Sequence, residues 1–130
     1  MTKKLLPSML ARGRGHVVVV SSVVGKFGSP GRTAYSASKH ALHGFYDGLR
    51  AEVYPDGLRV TLVCPGYVRT EMTAKTLDTP EAGAVIRAKT ALARPGRPQE
   101  MAGAVIYLAS DAASYTTGHI LMVDGGWTAM

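Results

Sequence analysis

The stretch "HVVVVSSVV", residues 16–24, decides how the rest of the sequence is read. Four consecutive valines leave no polar face, so a strand made from them must be covered on both sides. That pattern belongs to parallel sheets, whose crossover helices shield both faces. The reading places a buried strand at Val17 to Ser22.

Working outward, "GKFGSPG" (25–31) follows as a loop with glycines at 25, 28 and 31. A long helix is predicted from Thr33 to Val53, where Leu42, Phe45, Tyr46, Leu49 and Val53 recur at helical spacing. Thr33 is suited to cap it, and Pro55 with Gly57 to end it. "LRVTLVC" (58–64) is a second buried strand, cut off by Pro65-Gly66. Thr70 to Ala93 is polar with weak helical character. "RPGRP" (94–98) is a turn, and Pro98 suits the first position of a helix carrying Met101, Ala104, Val105 and Leu108. "HILMVDGG" (119–126) is a third strand closing on a Gly-Gly turn. Strands that alternate with helices predict an α/β fold, with a parallel sheet and helices on both faces.

Composition narrows the function. Hydrophobic residues make up 46% of the 130 and charged ones 18%, which argues for one globular domain, or part of one, over disorder. No apolar run approaches the roughly 20 residues of a membrane span. The apolar run near the N-terminus is short and broken by Pro7, which argues against a signal peptide. Cys64 is the only cysteine, so no internal disulfide forms, which fits a reducing cytoplasm. The net charge is +6, but four of the fifteen basic residues (Lys3, Lys4, Arg12, Arg14) cluster at the start. The other eleven are interspersed with nine acidic ones, without the basic stripe and interleaved aromatics of a nucleic-acid groove.

"AYSASK" (34–39) is where chemistry enters. Tyr35 and Lys39 lie four apart and so share a helix face, continuing the stripe of Leu42, Tyr46 and Leu49. That face turns polar beyond the carboxyl end of the first strand, where open α/β sheets bind ligands. The intervening Ser36, Ala37 and Ser38 are small enough for close approach. A cation beside a phenol stabilises the phenolate, which makes such a tyrosine a usable general acid or base near neutral pH. A bare Tyr-x-x-x-Lys also describes an amphipathic tyrosine and a snorkelling lysine on a helix shoulder.

The context of that pair is specific. "VVVVSS" ends in Ser22, thirteen residues before Tyr35; "CPGYVRT" follows the next strand; "GRPQEMAGAVIYLASDAASYTTG" and "VDGG" come after, in order. Together these resemble the short-chain dehydrogenase/reductase family over essentially the whole sequence. The resemblance implies the C-terminal part of a Rossmann-type sheet in a three-layer α/β/α arrangement. It implies an NAD(P)-dependent oxidoreductase that interconverts a carbonyl and an alcohol by hydride transfer, with NAD and NADP not distinguished. Ser22 would hydrogen-bond the reacting oxygen, Tyr35 would pass the proton, and Lys39 would hold the nicotinamide ribose and favour the phenolate. Pro65 and Gly66 would shape the nicotinamide pocket, Val68 and Thr70 would meet the carboxamide, and the segment after Thr70 would be a substrate lid. Implied partners are a small-molecule substrate and, at full length, a second copy or three more, with no nucleic acid, membrane or metal.

The departures are as informative. No Gly-rich dinucleotide loop precedes the first strand, and the chain contains no asparagine for the family's fourth catalytic position. The resemblance therefore implies that residues 1–130 are one incomplete domain lacking the N-terminal dinucleotide-binding half. Its alternative is a truncated chain, incompetent by itself, that works only with the missing half or not at all. "GKFGSPG" lies between a strand and a helix as a phosphate loop would, but its G-x-x-G-x-x-G spacing matches neither nucleotide fingerprint. His40 and His43, with no third ligand nearby, read as helix-surface residues, and Cys64 as a small core residue without an evident partner. Trp127 packs, lines a pocket or meets a subunit; the sequence leaves all three open.

Overall fold

The computed structural model describes residues 2–129. Three strands, β1 (Gly15–Val20), β2 (Leu58–Pro65) and β3 (Ile120–Val123), form one sheet in that order, parallel throughout. Val17 pairs with Val60 and Val20 with Val63 across β1 and β2, and Val63 pairs with Leu121 across β2 and β3. The central β2 is the most deeply buried element, with Val60, Leu62 and Cys64 all at 0% exposure. Among the described residues β1 is an edge, and Val20 at its end is 54% exposed.

Three of the five helices described cover the sheet. Helices α1 (Thr2–Ala11) and α2 (Thr33–Val53) lie on one face, α5 (Pro98–Ala109) lies on the other, and α3 (Glu71–Leu77) and α4 (Pro80–Lys89) fill the stretch between β2 and α5. On the first face Leu49 and Val53 of α2 pack on Leu58 and Val60, with Leu6, Met9 and Leu10 of α1 against them. On the second face Leu108 and Ala104 of α5 meet Val18, Val63, Leu121 and Val123. Valines 17 and 18 thus point to opposite sides, as strand alternation requires, and both sides are apolar. The two crossovers step the same way across the sheet yet lie on opposite faces, so they have opposite hands. Only one can have the usual right-handed sense. That exception puts a helix on each face of so small a sheet.

His16 ties α5 to the sheet. Its Nδ1 lies 2.9 Å from the Leu108 carbonyl and its Nε2 2.8 Å from Thr61 Oγ1. The carbonyl can only accept, so Nδ1 carries the proton and, in the neutral ring, Nε2 accepts from the threonine hydroxyl. Among the described residues no helix is long and apolar enough to cross a membrane.

Three local expectations change. The first strand ends at Val20, not Ser22, because Ser22 caps a short 3₁₀ turn over Val23–Gly25, its hydroxyl accepting from Val24 N at 3.4 Å. Thr33 does not cap α2; Arg32 holds that position, without a side-chain bond, and Thr33 is the first helical residue. Phe45 faces outward at 61% exposure, since the buried stripe of α2 runs through Ser36, His43, Leu49 and Val53. The polar stretch after Thr70 resolves into α3 and α4, each started by a threonine at Thr70 and Thr79.

Gly57 shows how tightly the α2–β2 turn is made. It is left-handed at φ 76°, and a Cβ there would lie 2.6 Å from the backbone oxygen of Gly13. Gly57→Ala should lower stability by about 2 kcal/mol, from the left-handed backbone and the clash together. Urea unfolding of the two proteins measures it, and an unchanged midpoint would contradict this geometry.

Candidate active site

The carboxyl ends of β1 and β2 open on a cavity of about 400 Å³. Ser22, Tyr35, Pro65, Gly66, Val68 and Thr70 all line it, although they come from three separate stretches of chain. Lys39 does not line it. It stands one turn further along α2, with Nζ 5.6 Å from the centroid of the Tyr35 ring. Tyr35 itself is 45% exposed at the cavity rim, on the flank of α2 and not on its buried stripe.

The two serines are separated by what holds them. Ser21 N donates to the Val63 carbonyl at 2.8 Å, continuing the ladder one residue past the strand. Its hydroxyl turns inward and lies 3.1 Å from His43 Nε2. The same Nε2 is 3.6 Å from Cys64 Sγ. Both serines line the cavity, but the Ser22 hydroxyl has no side-chain partner among the described residues and takes only the 3.4 Å contact from Val24 N. His43 is therefore buried at 7% exposure, and it is the partner that Cys64 was expected to lack. Both corrections have one cause: the seven-residue spacing from Ser36 to His43 returns to the sheet-facing side after two turns. Gly25 fits over this imidazole because it has no Cβ, which would otherwise sit 2.5 Å from Nε2. His40, by contrast, is exposed, its Nδ1 2.9 Å from the Ser36 carbonyl.

The floor of the cavity is set by close backbone approaches. Gly66 N donates to the Val123 carbonyl at 3.1 Å, and a Cβ on Gly66 would lie 2.8 Å from Asp124 Cα. Val68 bridges to Gly96, with Arg69 N donating to Gly96 O at 2.9 Å and Gly96 N to Tyr67 O at 2.8 Å. Thr70 starts α3 through a reciprocal cap with Thr73, Thr70 N donating to Thr73 Oγ1 at 2.9 Å. Glu100 accepts from Arg97 N and from Arg94, which pulls its pKa down to about 2.

Sequence reasoning missed the aromatic wall. Tyr67 and Trp127 meet edge to face at 4.8 Å and both line the cavity, as do Phe27 and Arg32. Tyr67 sits inside the motif "CPGYVRT" and could have been picked from it. Trp127 is brought in by the turn after β3. Asp124 closes that turn, accepting from Gly126 N at 2.9 Å and from Thr128 N and Oγ1 at 2.9 and 2.6 Å. Burial opposes its ionisation, but these bonds outweigh it and hold its pKa below the usual carboxylate value.

The sequence matches, over residues 1–128, the family model described as enoyl-(acyl carrier protein) reductase. The chain belongs to the short-chain dehydrogenase/reductase family. An uncharacterized oxidoreductase of Bacillus subtilis is 42% identical over 98% of this chain and 52% of its own length. A 4-hydroxyisoleucine dehydrogenase mutant complexed with NADH and succinate superposes with a TM-score of 0.92 at 32% identity, covering 99% of this chain and 54% of that one. A gluconate 5-dehydrogenase from Burkholderia cenocepacia, in complex with NADP and tartrate, gives a TM-score of 0.92 at 30% identity over 99% and 51%. This short-chain dehydrogenase/reductase chain thus spans about half the length of the relatives it matches.

The buried His43 and the half-buried His16 predict a pH response. His43 is held below its ordinary value of 6.5 by burial and then by Lys26, against an opposing pull from Asp47, with His40 adding the least. His16 is held below it by burial and then Arg59, against the Leu108 carbonyl. A native pKa below the unfolded one means that the unfolded chain binds more protons in that window. Stability should therefore be full above about pH 6.5 and fall as pH drops toward the lowered native values. The urea midpoint at pH 5.5 should lie below that at pH 7.5, and His43→Gln should flatten the difference. Equal midpoints in the parent protein would show that neither imidazole is buried in its neutral form.

Proposed function

We propose that this chain carries the catalytic half of an NAD(P)-dependent oxidoreductase that interconverts a carbonyl and an alcohol. The observation that carries this reading is the convergence of Ser22, Tyr35, Pro65, Gly66, Val68 and Thr70 on one cavity at the carboxyl ends of β1 and β2. That is where open α/β sheets bind ligands. The NADH and NADP held by similar chains support a nicotinamide cofactor without choosing between the two.

The cavity fits the nicotinamide end of such a cofactor. Gly66 approaches Asp124 too closely for any side chain, which leaves a smooth backbone wall beside Pro65. Val68 and Thr70 present backbone groups and a hydroxyl for a carboxamide. When bound, the cofactor supplies or accepts the hydride at the substrate carbon. In the reduction, Tyr35 gives its phenolic proton to the substrate oxygen as charge develops there, and it takes a proton back in the oxidation. Ser22 donates a hydrogen bond to the same oxygen and orients it. Lys39, one turn along the helix with Nζ 5.6 Å from the centre of the Tyr35 ring, stabilises the negative phenolate oxygen left on Tyr35 and in this reading also holds the ribose. Ser21 takes no part, because His43 holds its hydroxyl.

The pyrophosphate loop of the family lies in the half of the domain that these residues do not span. Complete turnover is therefore proposed for the assembled domain, and the oligomer expected of the family is proposed for that form alone. Residues 1–130 alone should bind NADH or NADPH more weakly than low micromolar, since the family's Gly-rich pyrophosphate loop is not among them. Calorimetric titration checks this, and tight stoichiometric binding would revive "GKFGSPG" as a phosphate site.

In the assembled domain Tyr35→Phe should cut turnover at least ~100-fold while leaving cofactor affinity within a few-fold. Lys39→Ala should damage both. Turnover by Tyr35→Phe within tenfold of the parent would remove Tyr35 from the mechanism.

A further inference from the structure

Beside the reaction cavity lies a second, larger one of about 690 Å³, and the two share Phe27, Ser29, Tyr67 and Trp127 as walls. None of Pro65, Gly66, Val68 and Thr70 lines the larger space; its outer side is α4, through Val85, Ala88 and Lys89. It therefore extends the site away from the proposed nicotinamide wall, on the side where a substrate's remaining atoms would lie. Its size is that of a small-molecule pocket.

The chemistry of its walls is lopsided. Phe27 and Val85 are 38% and 45% exposed, apolar surface that a bound molecule would cover. Among the described residues Lys89 is the sole charged one lining the larger cavity and Arg32 the sole one lining the smaller, so they bring two cations and no carboxylate to the joined cleft. Among the described residues Lys89 forms no salt bridge. Its ammonium rests instead over the indole of Trp127, 5.9 Å from the ring centroid. A cation held on an aromatic face, inside an apolar cleft, keeps its charge available to an incoming anion.

We infer that this cleft selects carbonyl and alcohol substrates that carry an anionic group on an apolar body, with Lys89 on Trp127 as the specificity-determining pair. The inference rests on the reading of the adjoining cavity as the reaction site. Phe27, Tyr67 and Trp127 cover the apolar body while Lys89 meets the anion, a carboxylate in the simplest case. A neutral compound of the same shape would gain the apolar contact without the charge-assisted one.

Trp127 is the only tryptophan of the chain, so its emission reports occupancy of the cleft without any turnover. The test titrates the protein with 4-oxononanoate and with its methyl ester, following Trp127 fluorescence. The acid should bind roughly tenfold more tightly than the ester, the size of one charge-assisted hydrogen bond. Lys89→Gln should bring the acid down to the affinity of the ester, and Lys89→Arg should retain most of the preference. Equal affinities for acid and ester, a preference that survives Lys89→Gln, or no emission change at millimolar acid would each overturn the inference. In the assembled domain with its cofactor, an acid preference without turnover would support it while counting against the proposed reaction. Turnover without any acid preference would do the reverse.

Discussion

Burial of β2 on both faces and along both edges is the constraint on which the rest of this structure depends. Val60, Leu62, Val63 and Cys64 are almost entirely removed from water, so every element around them must bring apolar surface. At about 25 cal/mol per Å² of apolar area, such a strand is among the largest local contributions to stability. The helices that cover it are crossovers that return the chain parallel on either side, and parallel return puts the three carboxyl ends at one rim. The cavity lies at that rim because β1 and β2 both stop there, one at a 3₁₀ turn and the other at Pro65-Gly66.

The rim is held from beneath by a small buried polar cluster. His43 reaches from α2 to Ser21, with Cys64 against the same ring nitrogen, so helix and both strands meet at one imidazole. Burial pushes the Cys64 thiol up, away from thiolate, so the cysteine acts there as a packing partner and not a nucleophile. The consequence for chemistry is indirect. With the Ser21 hydroxyl engaged by His43, Ser22 is the cavity serine without a side-chain partner among the described residues, and α2 is fixed against the sheet so that its first turn offers Tyr35 at the rim. The opposite wall is held as firmly. Gly125 and Gly126 are both left-handed, and a Cβ on them would lie 2.8 Å from Thr90 Cγ2 and 2.7 Å from Ala91 Cβ, a close approach that carries Trp127 to the end of α4.

Much of this was legible in order along the chain. The valine run, the long helix to Val53, the second strand and the Pro98 helix start all follow from local periodicity and local stereochemistry, which need no distant partner. The candidate site was legible through motifs: Ser22, Tyr35, Pro65, Gly66, Val68 and Thr70 do come together. His43 was misread because helical spacing defines a face but not what covers it. Its polar character suggested solvent, and only Ser21, 22 residues away, and Cys64, 21 residues away, make its burial tolerable. Phe45 was misread for the converse reason, since an apolar residue on the outer face leaves no mark in periodicity.

Sequence alone determined the fold class, the order of the elements and the residues from which a reaction site could be drawn. Each of these rests on interactions within about one helical turn or one strand, or on motif spacing. Tertiary structure alone decided which side of the sheet α5 covers, that Lys39 stands behind Tyr35 and outside the cavity, and that Trp127 joins Tyr67 and Lys89 in one wall. Those outcomes depend on contacts between residues tens of positions apart. Their geometry is set by packing against the buried central strand, and no local pattern in the chain records it.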